Sequence, residues 1–505
     1  MGIEDNAVTD SPRFTFIIPN TAWFGKRYWH NFPYTEALLA AVLRQRGFRV
    51  DIIDANIRNL SEADLEAAVR DNQPEVVGIG EMALEYKDCV HKSFEIAKRA
   101  CPTARTVVGG IYPTLSPEIA TQDGNIDYFV FGEGEERLPA LLEAIRAGTG
   151  FERIDGLAYR KDGTLVTNPR PHAGIPDLDA LPMPDYTGFD MKRYSNYQQR
   201  YTQNFSFKQL PVAQTITSRG CPFKCTFCCS RELYDLKIRT RSPRKVLEEV
   251  DMLVEQHGIR EIIFVDDSLL WPKDRALEIM NGLIERRQRG IPLIWKSNNL
   301  AIHHMEDEII DKMKESGCYS VIVSIESGCR ATLKRMKKPV NLNKVIEVLE
   351  KVQKRQFDDV SSNFVIGMPG DTWEDIRETF RYVEHLVDRR LLDYAVFHIC
   401  TPLPKTEVYE ICRKEGYLPK DYSFENPDYY GFGHGVITTP EFTPGELQIL
   451  RAYEWDRINF KTEEQRARVA RMLHITLEEL DAWRLDTRRS VGLRVQTVDR
   501  LSANC

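Results

Sequence analysis

Three cysteines, Cys221, Cys225 and Cys228, stand in the run Ser218-Arg219-Gly220-Cys221-Pro222-Phe223-Lys224-Cys225-Thr226-Phe227-Cys228, a C-x3-C-x2-C spacing. Three thiolates can ligate three irons of a cubane [4Fe–4S] cluster and leave the fourth iron without a protein ligand. An open iron can bind and activate a small molecule. Structural zinc is the competing use of clustered cysteines, and it asks for four ligands, commonly from two paired motifs. No second C-x2-C pair and no H-x3-H pair occurs elsewhere in the chain, and Cys229 adjoins Cys228, a poor place for a fourth ligand. The spacing therefore favours iron and sulfide over zinc.

A reactive loop needs a scaffold, and the 505 residues suffice for two or three domains. Residues 13–150 alternate apolar runs with amphipathic helices. The runs are Phe14–Ile18, Val50–Ile53, Val76–Ile79, Thr106–Val108 and Tyr128–Phe131. Near-continuous apolar runs read as strands buried on both faces, which predicts a doubly wound, Rossmann-like parallel sheet with ligands at its carboxyl edge. Residues 151–210 read as a connector with a hairpin turn at Tyr159–Thr164, followed by five interrupting prolines.

From residue 211 to 440 the alternation restarts. Strands are predicted at Val212–Ser218, Glu261–Asp266, Leu293–Ser297, Tyr319–Ile325, Ser361–Ile366 and Tyr394–Ile399. Six βα units predict a partial (βα)6 barrel of the TIM type, with active residues where strands end. The cysteine run follows the first of these strands. One helix is marked by Ser242 as N-cap, Pro243 at its first position and Gly258 as C-cap. Residues 441–505 read as a helical extension with capping boxes at Thr443/Glu446 and Thr476/Glu479. The stretch 464–483 imitates a helix-turn-helix but lacks a basic stripe, so it is read as a packing element.

Composition excludes several classes. Lys and Arg total 68 against 75 Asp and Glu, a net charge of −7, which gives no support for nucleic-acid binding. Eleven scattered cysteines, an odd number, argue for free thiols in a reducing compartment. Residues 1–11 are polar and acidic, unlike a signal peptide, and no apolar run reaches about 18 residues. A cytoplasmic protein without membrane association is expected.

Other strand ends carry polar residues and glycines. They are Asp266-Asp267-Ser268, Glu326-Ser327-Gly328 and Gly367-Met368-Pro369-Gly370. Each alone could be ordinary helix capping. Taken in order after the cysteine run, they resemble the core of the radical S-adenosylmethionine (SAM) superfamily. The resemblance implies that Cys221, Cys225 and Cys228 hold the cluster. It also implies that Asp266 and Glu326 touch SAM, Gly367 lies near adenine and Phe227 stacks close to the nucleoside. His398, ending the sixth strand, is read as a core histidine, with substrate contact as the alternative. Lys296 and Arg219 are candidates for holding an anionic substrate, with a solvated position or service to the cluster loop as equal alternatives.

The N-terminal sheet carries Gly109-Gly110-Ile111-Tyr112-Pro113-Thr114 and Gly132-Glu133-Gly134-Glu135 at adjacent strand ends, room for a bulky flat ligand. The G-x-G-x-x-G fingerprint is absent after the first strand, which disfavours a nicotinamide domain. These motifs, upstream of a radical SAM core, resemble the cobalamin-binding radical SAM enzymes across residues 13–440. By that resemblance Gly109, Gly110, Tyr112, Gly132 and Glu133 contact cobalamin. The D-x-H-x-x-G motif that supplies a cobalt-ligating histidine is missing, and Asp88–His91 does not fit it. A cobalamin without that ligand is expected.

The group's chemistry implies that one SAM methylates cobalamin and a second is cleaved at the cluster to a 5′-deoxyadenosyl radical. The radical then opens an unactivated sp3 carbon or a phosphorus centre to methylation. Local wording resembles the phosphonate- and phosphinate-pathway methyltransferases, on the segments Glu315–Gly328 and Lys337–Leu342, which suggests antibiotic-type natural-product biosynthesis. A cobalamin-using cyclase, ring-rearranging or oxidising enzyme is the alternative. The implied partners are a small-molecule substrate and an electron donor such as flavodoxin or ferredoxin.

Overall fold

A computed structural model describes residues 12–25, 28–80, 82–171, 174–197, 206–234, 236–420, 422 and 433–493. The chain forms two compact units, Met1–Tyr194 with Glu232–Asp235, and Ser195–Arg231 with Leu236–Cys505. No helix among the described residues is long and apolar enough to cross a membrane.

The first unit is built on seven strands: β1 (Arg13–Ile18), β2 (Arg49–Asp54), β3 (Val76–Ile79), β4 (Arg105–Gly110), β5 (Tyr128–Phe131), β6 (Leu157–Lys161) and β7 (Thr164–Thr167). Their order is β2-β1-β3-β4-β5-β6-β7, and the first five are parallel. The chain winds outward from β1 to β2 and then crosses back to β3, the doubly wound pattern expected. The helices α1 (Tyr34–Gln45), α2 (Glu62–Asn72), α3 (Lys87–Ala100), α4 (Ile111–Leu115), α5 (Pro117–Ala120) and α6 (Arg137–Ala147) connect these strands. Close packing explains Gly78 in β3, where a Cβ would meet the Phe14 ring at 2.2 Å.

The hairpin turn forms at Asp162 (φ +51°) and Gly163 (φ +79°), the positive-φ pair that a two-residue turn requires. Its location corrects one boundary. β6 pairs antiparallel with β5, so the hairpin extends the N-terminal sheet. The first unit therefore runs past residue 150, because the edge of β5 needs a partner for its backbone groups.

The second unit carries six parallel strands in sequential order: β8 (Val212–Thr215), β9 (Glu261–Phe264), β10 (Ile294–Ser297), β11 (Cys318–Glu326), β12 (Asp359–Ile366) and β13 (Tyr394–Ile399). Helices α7 (Pro243–His257), α8 (Lys273–Gln288), α9 (Asp307–Glu315), α10 (Arg330–Arg335), α11 (Leu342–Lys354) and α12 (Trp373–Asp388) lie between strands. Ser242 caps α7 through the Lys245 amide, and Gly258 ends it at φ +65°.

The extension is helical, with α13 (Glu407–Lys414) before it and α14 (Pro444–Asn459), α15 (Glu463–Met472) and α16 (Leu477–Ser490) within it. Both expected capping boxes form, and a third joins Thr462 to Gln465. α14 covers the free edge of β13. Asn459 accepts from the Ala395 N–H at 2.8 Å and donates to the Ala395 carbonyl at 2.9 Å, standing in for the next strand. Arg451 donates to the Phe397 carbonyl at 2.7 Å, and the Trp455 indole donates to the Tyr394 hydroxyl at 3.0 Å. Arg457 and Lys461 grip Glu384 of α12, and the Arg457 bond, with Lys461, holds that carboxyl down to about 2.

Replacing Asn459 by Ala leaves two buried backbone groups of β13 without partners. The variant is expected to lose about 2–4 kcal/mol of stability, seen as a lower urea midpoint. An unchanged midpoint would mean that those groups find other partners.

Candidate active site

The cysteine loop leaves the barrel where β8 ends. Ser218–Arg219 pairs antiparallel with Arg239–Thr240, and Gly220 at φ +87° turns the chain out of that ladder. Cys221, Cys225, Cys228 and Cys229 are half-buried, whereas the other described cysteines are buried. The loop is tied at several points. The Cys228 N–H donates to the Cys225 carbonyl, and the Thr226 N–H donates to the Met336 carbonyl. The Thr226 carbonyl accepts from the Val408 N–H, and the Ser230 N–H donates to the Cys228 sulfur at 3.4 Å.

Burial pushes all three thiols up, Cys225 to about 11, while the positive charge of Lys338 opposes the rise. Without metal they are protonated thiols, and a cationic metal centre reverses that preference by binding the thiolate. Three partly open sulfurs on one anchored loop beside a lysine fit a cluster with three protein ligands.

Asp266, expected to touch SAM, is enclosed at 3% exposure. One of its oxygens accepts from the Thr217 N–H at 2.9 Å, the Thr217 hydroxyl at 2.7 Å and the Ser218 hydroxyl at 2.6 Å. Asp266 thus braces the strand end from behind, and its second oxygen has no hydrogen-bond partner among the described residues. Its neighbour Asp267 accepts from the Ser230 hydroxyl and bears electrostatically on Cys221 and Cys228.

Glu326 sits at φ +70°, at an irregularity in the β11–β12 register. Left-handed backbone at a non-glycine residue is costly and collects at functional sites. Its carboxylate accepts from Lys338 at 3.0 Å, and the Lys338 charge reaches all three loop thiols. The pair Glu326–Lys338 therefore adjoins the cysteine loop. Phe227 is half-buried within the loop's turn. Gly367, at φ +75°, is explained by packing: a Cβ there would meet Leu447 of α14 at 2.5 Å.

Phe397 packs on Phe380 of α12, with ring centroids 4.9 Å apart, so His398, one residue on, points to the inner face of the sheet. There His398 meets the Asn363 carboxamide oxygen at 3.3 Å, and Ser324 donates to the Asn299 oxygen at 2.6 Å. Ser324 and Asn363 are register partners, so these residues form a polar band across four consecutive strands. Burial drives His398 down to about 4, which keeps it neutral near pH 7. Lys296 is corrected. It lies toward the amino end of the strands, 2% exposed, donating to the Ser206 carbonyl at 2.6 Å beside Glu261 and Asp359. It belongs to a polar plug and cannot reach a substrate at the carboxyl end. Arg219 stands in the ladder opposite Arg239.

In the first unit, Gly110 (φ +82°) and Gly132 (φ +76°) form a bridge between the ends of β4 and β5. Thr114 joins them, donating to the Gly110 carbonyl at 2.6 Å and accepting from the Gly132 N–H at 2.8 Å. A Cβ at Gly109 would find only ordinary contact with Val130. Two other expected contacts turn inward. Tyr112 has no exposed surface, and Glu133 accepts from the Ile175 N–H at 2.8 Å. The Tyr112 hydroxyl meets His91 at 2.6 Å, and the other His91 nitrogen meets Asp123 at 2.6 Å. Both nitrogens of His91 are occupied by these two bonds, in keeping with a histidine that is no metal ligand. Thr114 thus locks the two glycine turns together, and the Cβ direction at Gly132 faces the Arg170 guanidinium at 3.0 Å.

Comparison with known proteins places these features in a family. The profile of the radical SAM superfamily matches residues 215–383, and that of the B12 binding domain matches residues 28–142. A cytidylyl-2-hydroxyethylphosphonate methyltransferase from Streptomyces wedmorensis is 27% identical over 484 residues, covering 86% of this chain and 87% of its own length. An uncharacterized methyltransferase from Pyrococcus horikoshii is 30% identical over 379 residues, covering 75% of this chain and 78% of its own. The fold is shared with a radical S-adenosylmethionine methyltransferase from Kitasatospora setae solved with cobalamin and a [4Fe–4S] cluster bound. That likeness has a TM-score of 0.65 at 19% identity and covers 81% of this chain and 79% of the other.

Thr114→Val removes both bonds that lock the glycine turns. Its affinity for hydroxocobalamin is expected to fall about tenfold, with an unchanged circular dichroism spectrum. Retained affinity in a spectroscopic titration would separate Thr114 from the cofactor.

Proposed function

The chain belongs to the cobalamin-binding radical SAM enzymes, and from that premise we propose that it methylates an unactivated carbon or a phosphorus centre of a phosphonate or phosphinate. The supporting observation is the similarity to the Streptomyces wedmorensis cytidylyl-2-hydroxyethylphosphonate methyltransferase, which covers 86% of this chain. The substrate class follows that relative: a phosphonate carried as a cytidylyl ester.

Bound cluster, SAM and cobalamin supply hydrogen-atom abstraction and a transferable methyl group. The chain's own residues hold and orient. Cys221, Cys225 and Cys228 are the cluster ligands. Lys338 and Glu326 offer a cation and an acceptor to the amino-acid end and hydroxyls of SAM. Gly109, Gly110 and Gly132 receive cobalamin. In the polar band, the carboxamide oxygens of Asn299 and Asn363 are engaged by Ser324 and His398, which leaves their N–H groups to donate to substrate oxygens. Neutral His398 orients Asn363 without adding charge.

The test is an anaerobic reaction of protein reconstituted with iron, sulfide and hydroxocobalamin. SAM, a strong reductant and cytidylyl-2-hydroxyethylphosphonate are added, and products are read by mass spectrometry. The proposal expects 5′-deoxyadenosine, S-adenosylhomocysteine and a product heavier by one methyl group. Deoxyadenosine without S-adenosylhomocysteine would instead favour a cyclase or oxidising activity. Cys225→Ser should lose deoxyadenosine formation at least a hundredfold while still binding cobalamin, an order of magnitude set by losing a ligand of the group that does the chemistry.

A further inference from the structure

Phe223, inside the cysteine loop, is the inner end of a run of rings that reaches the surface. Its ring packs edge-on against His303 at a centroid distance of 4.9 Å. His303 lies 4.1 Å from His304, and His304 lies 5.0 Å from Trp271. Trp271 is 44% exposed. At the inner end, the Phe223 backbone N–H donates to the Cys221 sulfur. The rings come from the segments that follow β8, β9 and β10, so three strand ends converge to build the run.

Burial drives His303 down to about 4 and lowers His304, so both are neutral rings. The buried Nε2 of His303 has no hydrogen-bond partner among the described residues. What this run provides is ring contact from solvent to Phe223, whose backbone N–H adjoins the Cys221 sulfur. Electronic coupling falls steeply across empty gaps and less steeply through atoms in contact.

We infer that the Trp271–His304–His303–Phe223 run is the entry route for the reducing electron, and that Trp271 is the docking contact for a flavodoxin-class carrier. This rests on the proposed function, because it takes Cys221, Cys225 and Cys228 as cluster ligands. One electron leaves the carrier's reduced flavin, which is oxidised by one unit, and the cluster is reduced by one unit; no bond forms or breaks. A flat exposed indole offers a stacking face to a flavin ring. Lys224 in the loop is exposed, and Lys344, whose charge bears on both histidines, lies with Lys351 among Glu306, Asp307, Glu308 and Glu347, so this face carries charge of both signs and the stacking indole, not net charge, selects the carrier.

The experiment mixes reduced flavodoxin with the full-length, cluster-loaded protein under anaerobic stopped flow. It follows the loss of cluster absorbance and the paramagnetic signal of the reduced cluster. Trp271→Ala should be reduced by flavodoxin about tenfold or more slowly, as expected for truncating an aromatic anchor. Its iron content and its rate with dithionite should match the parent. Trp271→Phe, which keeps a ring, should retain most of the rate, and His304→Leu should slow it as Trp271→Ala does. Equal flavodoxin rates in the parent and Trp271→Ala overturn the route, and so does an equal loss in Trp271→Phe. A parent protein reduced by neither donor shows that the cluster assignment itself fails, and the route with it.

Discussion

The carboxylate of Asp266 holds the cysteine loop to the barrel. Its three hydrogen bonds to Thr217 and Ser218 join the end of β8 to the end of β9. Arg275 adds a second clamp, donating to the carbonyls of Thr217 and Arg241. A loop that carries three metal ligands must not wander, because a cluster binds well only when all three sulfurs are presented together. Enclosing these clamps strengthens them, since bonds to a charged group are worth more away from water. Asp266 and Glu326 are both enclosed, at 3% and 8% exposure, the first holding the strand end and the second paired with Lys338.

Six parallel strands in sequential order leave an edge at β13, and that edge explains the helical extension. Asn459 pairs with Ala395 as a neighbouring strand would, and Arg451 satisfies the Phe397 carbonyl one pair further along. Exposed edges invite pairing with other chains, and covering one with a helix is a recurrent answer. The helix also packs Leu447 against Gly367, so the glycine serves the seal between α14 and β12. The extension is thereby part of the barrel's construction.

What was legible in the sequence was whatever short spacing encodes. The three cysteines, the Asp162–Gly163 turn, the caps of α7, α14 and α16, and the alternation of strands and helices are all local signals. What was hidden depends on residues brought together by the fold. Lys338 lies more than a hundred positions from the cysteines, and only the turn after α10 carries its charge to them. Thr114 read as the end of a motif, while its work is to bridge two glycines on neighbouring strands. Tyr112 and Glu133 matched a motif but turn inward, because His91 and Ile175 offer them partners within the domain. Lys296 looked like an anion ligand because periodicity cannot tell which end of a strand a side chain serves.

The inner face of the barrel is graded along its strands. Toward the amino ends lies a charged plug, in which Lys296 faces Glu261 and Asp359, and burial pushes Asp359 up to about 6 and Lys296 down to about 8. Next comes the neutral band of Ser324, Asn363 and His398. Charge returns at the carboxyl ends with Glu326 and Lys338, beside the thiols. Fully buried charges must be compensated nearby, which the plug does internally. A neutral middle layer then has a chemical consequence. It can bind oxygen atoms by hydrogen bonds without a counter-ion that would strongly orient or neutralise a reacting carbon. Radical chemistry at an unactivated carbon needs that carbon held by shape and neutral contacts, since the carbon itself offers no charge to grip. Under the proposed function, the neutral middle layer suits such a carbon, while charge is gathered at the end where the cluster loop sits.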